Sequence, residues 1–506
     1  MGLKARLLKP FAHRIAKNIR KNSSLAVKNQ QHILSQLIQS GKKTEFGKYH
    51  GFKQIKTYED FKKAVAIRDY EAFRPYIDMI LDGDRNVLWP GKPKYLAKTS
   101  GTTSGVKYIP ITSESIPNHV ESARNALFNY FSQTGNGAFF EGKMIFLSGS
   151  PRMENINSIP VGRLSGIINH WVPNWLRPNQ MPTYKTNCIE DWEQKLGFIV
   201  DETIEEDMRL ISGIPPWVQM YYEKLLEKTG KNTIKELFPN FSLFVYGGVN
   251  YEPYRSRLEE LTGPGIDTLE FYPASEGFIA YQDQWPHQGL MLVTNSGIFY
   301  EFIPAEEIFD QNPTRLKLGE IELGVNYALI ISSNAGLWGY NIGDTVEFLS
   351  KSPYRIKVTG RIKHFISAFG EHVIGNEVEK AIQVAVKEMR CQVSEFTVAP
   401  QIHPPEKGLP YHEWLIEFSH PPKDMDRFQR ALDQAMIKQN IYYKDLIKGK
   451  ILQPLKVMSV RQGTFRTYMK SVGRLGGQNK VARLSNDRAI ADVLYQLQTE
   501  LSSDTV

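Results

Sequence analysis

The chain has 506 residues, 41% of them hydrophobic and 23% charged, with a formal net charge of +8. That length supplies two to four domains and a large core, in the balance of an ordinary soluble globular protein. No apolar run approaches the roughly eighteen residues of a membrane-spanning helix. Cys188 and Cys391 are the only cysteines and form no C-x-x-C, which excludes a disulfide framework and a thiolate metal site.

Leu7, Phe11, Ile15 and Ile19 recur every four residues among lysines and arginines, which predicts a basic amphipathic helix over 3–21. Such a helix either caps its own domain or lies on an anionic membrane. Leu7-Leu8 runs at once into Lys9-Pro10, so the apolar core of a signal peptide is missing and the cytoplasm is the expected compartment. A second helix is predicted over 26–39, then a turn-rich link from Thr44 to Phe52 whose aromatics can pin it down. Tyr58-Glu59-Asp60-Phe61 opens a helix, Ile67 to Glu71 leads to Pro75-Tyr76-Ile77, and Asn86 to Gly91 delivers the chain to its most informative stretch.

That stretch, Lys98 to Lys107, places two glycines, five hydroxyl side chains and two lysines within ten residues. Glycine admits positive φ, so a concave loop of converging N–H groups can form, and hydroxyls and lysines add donors and charge suited to a polyphosphate. The spacing of Gly101 and Gly105, with Val106 before the lysine, does not meet the Walker pattern and excludes a P-loop kinase or ATPase. Ile116, Val120, Ala123 and Leu127 predict a helix leaving the loop with its N-terminus toward bound anions. Met144 to Leu147 reads as a short buried strand, Ser165 to Gln180 as an aromatic loop or the lining of an acyl pocket, and Pro215 to Leu226 as a helix.

Further on, Leu243 to Val245 runs as a strand into Gly247-Gly248-Val249-Asn250, where missing side chains let a flat ring approach the backbone. Glu270-Phe271-Tyr272-Pro273-Ala274-Ser275-Glu276-Gly277 and Tyr340-Asn341-Ile342-Gly343-Asp344 follow, then Val358-Thr359-Gly360-Arg361-Ile362-Lys363. The remainder reads helix, strand, strand, helix, strand, a small α+β sandwich. It ends in a basic, glycine-containing stretch, Arg461 to Arg488, which carries Lys470 and Lys480.

Thr99 to Thr112 resembles the phosphate loop of acyl-adenylate-forming enzymes, and with the lead-in at 44–91 it resembles the Gretchen Hagen (auxin-responsive) acyl acid amido synthetases most closely. Six motifs stand in the family's order along most of the chain. The resemblance implies an α/β fold: a large nucleotide- and acyl-substrate-binding domain over 1–360 and a small, mobile α+β domain over 361–506. It implies ATP and Mg²⁺ as cofactors, and a ligase that adenylates a carboxylic acid and transfers the acyl group to an amine, an amino acid in the family. Ser100, Thr102, Thr103, Ser104, Gly105 and Lys107 would hold the phosphates, and Gly248 and Val249 would border the nucleotide. Tyr272 would stack on adenine, Ser275 would bind the α-phosphate and Glu276 would hold Mg²⁺. Asp344 and Arg361 would bind the ribose, and Lys480 would reach the reacting carboxylate, with Lys470 as a competing candidate. Ala482 departs from the proline usual at that place in plant members. No zinc-finger spacing or RNP-type aromatic pattern accompanies the positive charge, so no nucleic-acid partner and no integral membrane segment is expected. An acyl-CoA ligase with the same first step, and a non-catalytic basic protein binding nucleic acid or membrane, are the alternatives.

Overall fold

The computed structural model describes residues 2–100, 106–174, 176–248, 251–362, 365–366, 373–402, 404–406, 408–448, 451–475, 480–485 and 487–503. Contact density divides the chain into two units. The larger takes Met1–Gly248 and Leu261–Val358, the smaller Val249–Glu260 and Thr359–Val506. Among the described residues no helix is long and apolar enough to cross a membrane.

In the larger unit, α1 (Leu3–Ser24) and α2 (Ala26–Gly41) run a few residues beyond the predicted spans. α1 turns Ala5, Ala12, Ile15 and Ala16 inward, and α2 buries Ile33, Leu34, Leu37 and Ile38. The two ends of the glycine-containing stretch, 98–100 and 106–107, lie in an antiparallel pair, β1 (Tyr95–Ser100) and β2 (Val106–Ile111), with Ser100 opposite Val106. α3 (Ile116–Thr134) leaves it as expected and stops at Gly135, whose φ of +72° provides a left-handed C-cap.

The main sheet has twelve strands among the described residues. β3 (Lys143–Phe146), β4 (Met208–Ser212), β5 (Leu243–Gly247) and β6 (Asp267–Ala274) run parallel, so their carboxyl ends share one edge. From β6 the sheet continues through β7 (Gly277–Gln282) and β8 (Leu290–Leu292), then reaches β9 (Ile298–Pro304), β10 (Asn326–Ser333), β11 (Tyr340–Lys351) and β12 (Tyr354–Arg361) in the lateral order β8, β12, β11, β10, β9. β7 is buried at all six positions and β10 at seven of eight, which is why these runs are apolar without alternation. The stretch 165–180 is not all loop: a short helix spans Leu164–Asn169 and a 3₁₀ turn Arg177–Asn179.

The smaller unit contains the predicted elements in order, α4 (Gly375–Met389), β13 (Gln392–Gln401), β14 (Tyr411–His420), α5 (Met425–Gln439) and β15 (Lys456–Val460), with an unpredicted helix, Ile441–Lys448, inserted before the last strand. Its three strands pair in that sequence, the first two antiparallel and the last parallel. Other features escape the sequence reading, among them a closing helix, Ala489–Ser503. The basic stretch after 461 contains α6 (Thr464–Ser471), and the segment 249–260, which carries most of the helix Glu252–Thr262, packs as part of this unit. The largely buried Arg483 guanidinium joins these pieces. It pairs with Glu395, donates to Tyr254 Oη at 2.7 Å and lies 4.6 Å over the Phe396 ring.

Candidate functional site

Ser275 and Glu276 form the two-residue turn of the β6–β7 hairpin, between Ala274 and Gly277. The parallel strand β6 therefore delivers them at its carboxyl end, the edge where open α/β sheets bind ligands. Gly277 has a packing reason. A Cβ there would come within 2.4 Å of the Ile298 side chain and 3.3 Å of the Asn118 amide. Asn118, near the start of α3, accepts from Phe278 N at 2.7 Å and donates to Phe278 O at 3.2 Å and to Ser296 Oγ at 2.7 Å. The helix leaving the β1–β2 hairpin is thus clamped to the turn that carries Ser275 and Glu276.

Asp344 lies within β11 rather than in a free turn. Opposite it, Ala328 pairs with Thr345 and Ile330 with Asn341, so three residues of β11 face a single residue of β10. Gly343, at φ +86°, sits in this bulge, and its N–H is taken by Asn341 Oδ1 at 2.9 Å. Bulges re-aim side chains, and this one turns Asp344 toward β6. There the Tyr272 hydroxyl donates to Asp344 Oδ2 at 2.6 Å. Tyr272 is buried and Asp344 half-buried. Tyr340, at the start of β11, reaches Glu276 Oε1 at 3.5 Å.

The lead-in ties this cluster to the β1–β2 hairpin. Arg68 bridges the backbone of Tyr340, donating to Gly339 O at 2.9 Å and accepting from Asn341 N at 2.8 Å. Two residues on, Tyr70 Oη accepts from Tyr108 N at 2.9 Å, and Lys107 Nζ lies 5.3 Å over the Tyr70 ring. Lys107, Glu276, Tyr272 and Asp344 are therefore linked through a few shared neighbours. Gly247 gives its space to β6, since a Cβ would sit 2.3 Å from Phe271 O, and Gly248 has a φ of +82°.

At the same strand edge, beyond β3, Lys195 is buried and donates to Ser148 O at 2.9 Å and Asn187 O at 2.8 Å. Burial lowers its pKa to about 8. Arg163, half-buried close to Gly149, is likewise lowered by burial. Among the described residues no carboxylate pairs with either. The sequence reading passed over both, and it also missed Asn118, Arg68 and Tyr70. None carries a local signal, because each is defined by a partner far along the chain.

In the smaller unit Arg361 is exposed at the end of β12, and Lys480 is exposed three residues before Arg483. The segment after Lys480 is pinned to β13: Thr397 Oγ1 donates to Ala482 O at 2.7 Å and Val398 N to Arg483 O at 2.9 Å. Lys470 is exposed on α6. Thr102, Thr103, Ser104, Gly105, Val249 and the side chain of Ser100 lie outside the described residues.

Glu276 as a single half-buried carboxylate suits Mg²⁺, which takes one or two carboxylates and completes its shell with phosphate oxygens and water. Among the described residues no group of three or more histidine, cysteine or acidic side chains could hold a metal by itself.

Three family models match in chain order: the GH3 family N-terminal domain over 15–182, central domain over 291–361 and C-terminal domain over 376–489. A jasmonoyl–L-amino acid synthetase, JAR6 of Nicotiana attenuata, is 23% identical over 559 residues, covering 95% of this chain and 94% of that protein. The indole-3-acetic acid-amido synthetase GH3.3 of Arabidopsis thaliana is 26% identical over 285 residues, 53% of this chain and 47% of its own. Among solved structures, the GH3.15 acyl acid amido synthetase superposes with a TM-score of 0.79 at 16% identity over 95% of both chains. A 2-hydroxyisobutyryl-CoA ligase in complex with an acyl adenylate superposes with a TM-score of 0.61 at 13% identity, over 94% of this chain and 93% of that one.

Proposed function

The chain belongs to the GH3 family of adenylate-forming amido synthetases, and on that premise we propose that it activates a carboxylic acid with ATP and passes the acyl group to an amine, forming an amide. The supporting observation is the cluster in which Tyr272, Asp344, Glu276, Tyr340 and Lys107 are brought to shared neighbours by the β6–β7 hairpin, the β11 bulge and the Arg68–Tyr70 lead-in.

In the first half-reaction a substrate carboxylate oxygen attacks the α-phosphorus of ATP and pyrophosphate leaves. Two anions must meet, so the site has to offset their repulsion. The donors of 100–107 would bind the phosphates and Ser275 the α-phosphate, while Lys480 would meet the carboxylate and α-phosphate where charge builds. Tyr272 would lie against adenine with its hydroxyl holding Asp344, whose remaining lone pairs would accept the ribose hydroxyls. Arg361 would add a ribose contact, and Gly248 and Val249 would border the base. Glu276 would hold Mg²⁺, which supplies charge neutralisation to the phosphates when bound. In the second half-reaction the amine nitrogen attacks the acyl carbonyl, AMP departs with the C–O bond electrons, and the nitrogen loses its proton. Movement of the smaller unit, residues 361–506 in the main, would shield the adenylate from water. The site would work in the cytoplasm, on small-molecule acids and amines.

The test is carboxylate-dependent ATP–pyrophosphate exchange. Lys480→Ala is expected to lower it by roughly two or more orders of magnitude. Near-normal exchange would remove Lys480 from that role and turn attention to Lys470. The CoA-ligase reading shares the fold, and analysing products with CoA against a panel of amino acids separates the two.

A further inference from the structure

Residues 1–43 hold ten of the 62 lysines and arginines and none of the 54 aspartates and glutamates. The other residues carry 52 basic against 54 acidic side chains, so the positive charge of the whole chain resides in this one segment. Seven of the ten cations, Lys4, Arg6, Lys9, Arg14, Lys17, Arg20 and Lys21, lie on α1, and all seven are exposed. Among the described residues none of the seven is ion-paired. An uncompensated cluster of this kind repels itself in the free protein, and an opposing anionic surface relieves that repulsion.

The apolar side chains of α1 divide in two. Ala5, Ala12, Ile15 and Ala16 face the protein, where small residues let the helix lie close to the turn before β3; Gly137 has no room for a Cβ beside Ala5 and Phe131. Leu3 and Leu7, one turn apart on the opposite face, are each 72% exposed. At 100° per residue they share that face with Arg6, Arg14, Lys17 and Lys21. Neither leucine serves the packing of the fold, and both lie ahead of Ile15, where the match to the family's N-terminal domain begins. Two leucines at the head of a cationic helix face suit a bilayer interface, where the alkyl chains enter the acyl boundary and the cations stay among the headgroups. A nucleic acid would use the charge and leave the leucines in water.

We propose that α1 is a reversible membrane-surface anchor that docks the enzyme on an anionic lipid bilayer through Leu3, Leu7 and the Arg6–Arg14–Lys17–Lys21 face. The inference is independent of the chemistry assigned to the sheet edge.

The experiment is flotation of the full chain with vesicles of equal parts phosphatidylglycerol and phosphatidylcholine, and with phosphatidylcholine alone. The protein is expected to float with the anionic vesicles only and to be released as salt rises. Reversing Arg14, Lys17 and Lys21 to glutamate should lower partitioning by at least about tenfold, since each cation near such a surface is worth about a factor of five. The pair Leu3→Ser and Leu7→Ser should also lower vesicle partitioning, while retention on an immobilised DNA duplex stays unchanged. These exposed side chains hold no partner, so unfolding midpoints and pyrophosphate exchange should match the parent. Absence of flotation, or parental partitioning by the charge-reversed protein, overturns the proposal. So does a serine variant that binds vesicles as the parent does, because the interaction is then with polyanions in general.

Discussion

Two carboxylates of the same sheet meet opposite fates. Asp283, just past β7, takes both of its strong hydrogen bonds from Arg355 on β12, Nε and Nη2 each at 2.8 Å, and both side chains are buried. Asp344, in the β11 bulge, accepts from the Tyr272 hydroxyl at 2.6 Å and stays half-buried. A guanidinium fork saturates a carboxylate and withdraws it from chemistry. A phenol orients a carboxylate while occupying just one of its several acceptor positions. A paired aspartate is therefore informative about function only through what its partner leaves unused.

Removing one member of the saturated pair should have the largest effect. Arg355→Ala leaves Asp283 charged and unpaired in the sheet, with an expected loss of about 3–5 kcal/mol in urea unfolding. If Asp283 behaved as a functional group, stability would hold and exchange activity would fall.

His119, next to Asn118 on α3, sharpens the contrast as a buried polar group that is neither saturated nor open. Its Nδ1 has no hydrogen-bond partner among the described residues, and burial lowers its pKa to about 4. The unfolded chain, with an ordinary histidine, binds the proton first as pH falls. Stability contributed by the neutral ring is thus complete above about pH 6.5 and lost progressively as the pH drops toward 4, by up to about 3 kcal/mol. His119→Leu should flatten that part of the stability–pH curve; an unchanged slope would assign it to other groups.

At Asp344 the balance reverses. Asp344→Ala should cut pyrophosphate exchange about a hundredfold, equivalent to about 2.7 kcal/mol, while the unfolding midpoint stays near the parent's. A matching fall in stability would make Asp344 a second Asp283. Tyr272→Phe should do least. It frees the carboxylate without removing it, so a rise of about tenfold or less in the KM for ATP is expected, with kcat largely kept.

How much of this was readable beforehand depends on distance along the chain. Tyr272, Ser275 and Glu276 fall within five residues, and Tyr340 to Asp344 within another five, so the resemblance to the family could single them out as short motifs. The α+β order of the smaller unit was visible too, because period and length mark each element. What aims the groups was not. The Gly343 bulge exists only relative to β10, and a Gly-Asp pair alone reads as a turn. Asn118 clamps a backbone 160 residues away, and its neighbours describe only a helix face. Arg68 and Tyr70 read as a linker, yet they join Tyr340 to β2. Gly247 shows the converse: its missing side chain was legible, but the space belongs to Phe271.

The membership of 249–260 in the smaller unit has a practical outcome for anyone dividing this protein. The polypeptide passes between its two bodies three times, near 248, 260 and 358, so no single scissors point yields a complete smaller piece. A fragment begun at 361 would leave behind Tyr254, and with it the phenol that receives Arg483 beside the segment bearing Lys480. An autonomous version would have to splice the 249–260 segment back on, and complementation in trans by that short peptide becomes a direct assay of how Arg483 is held.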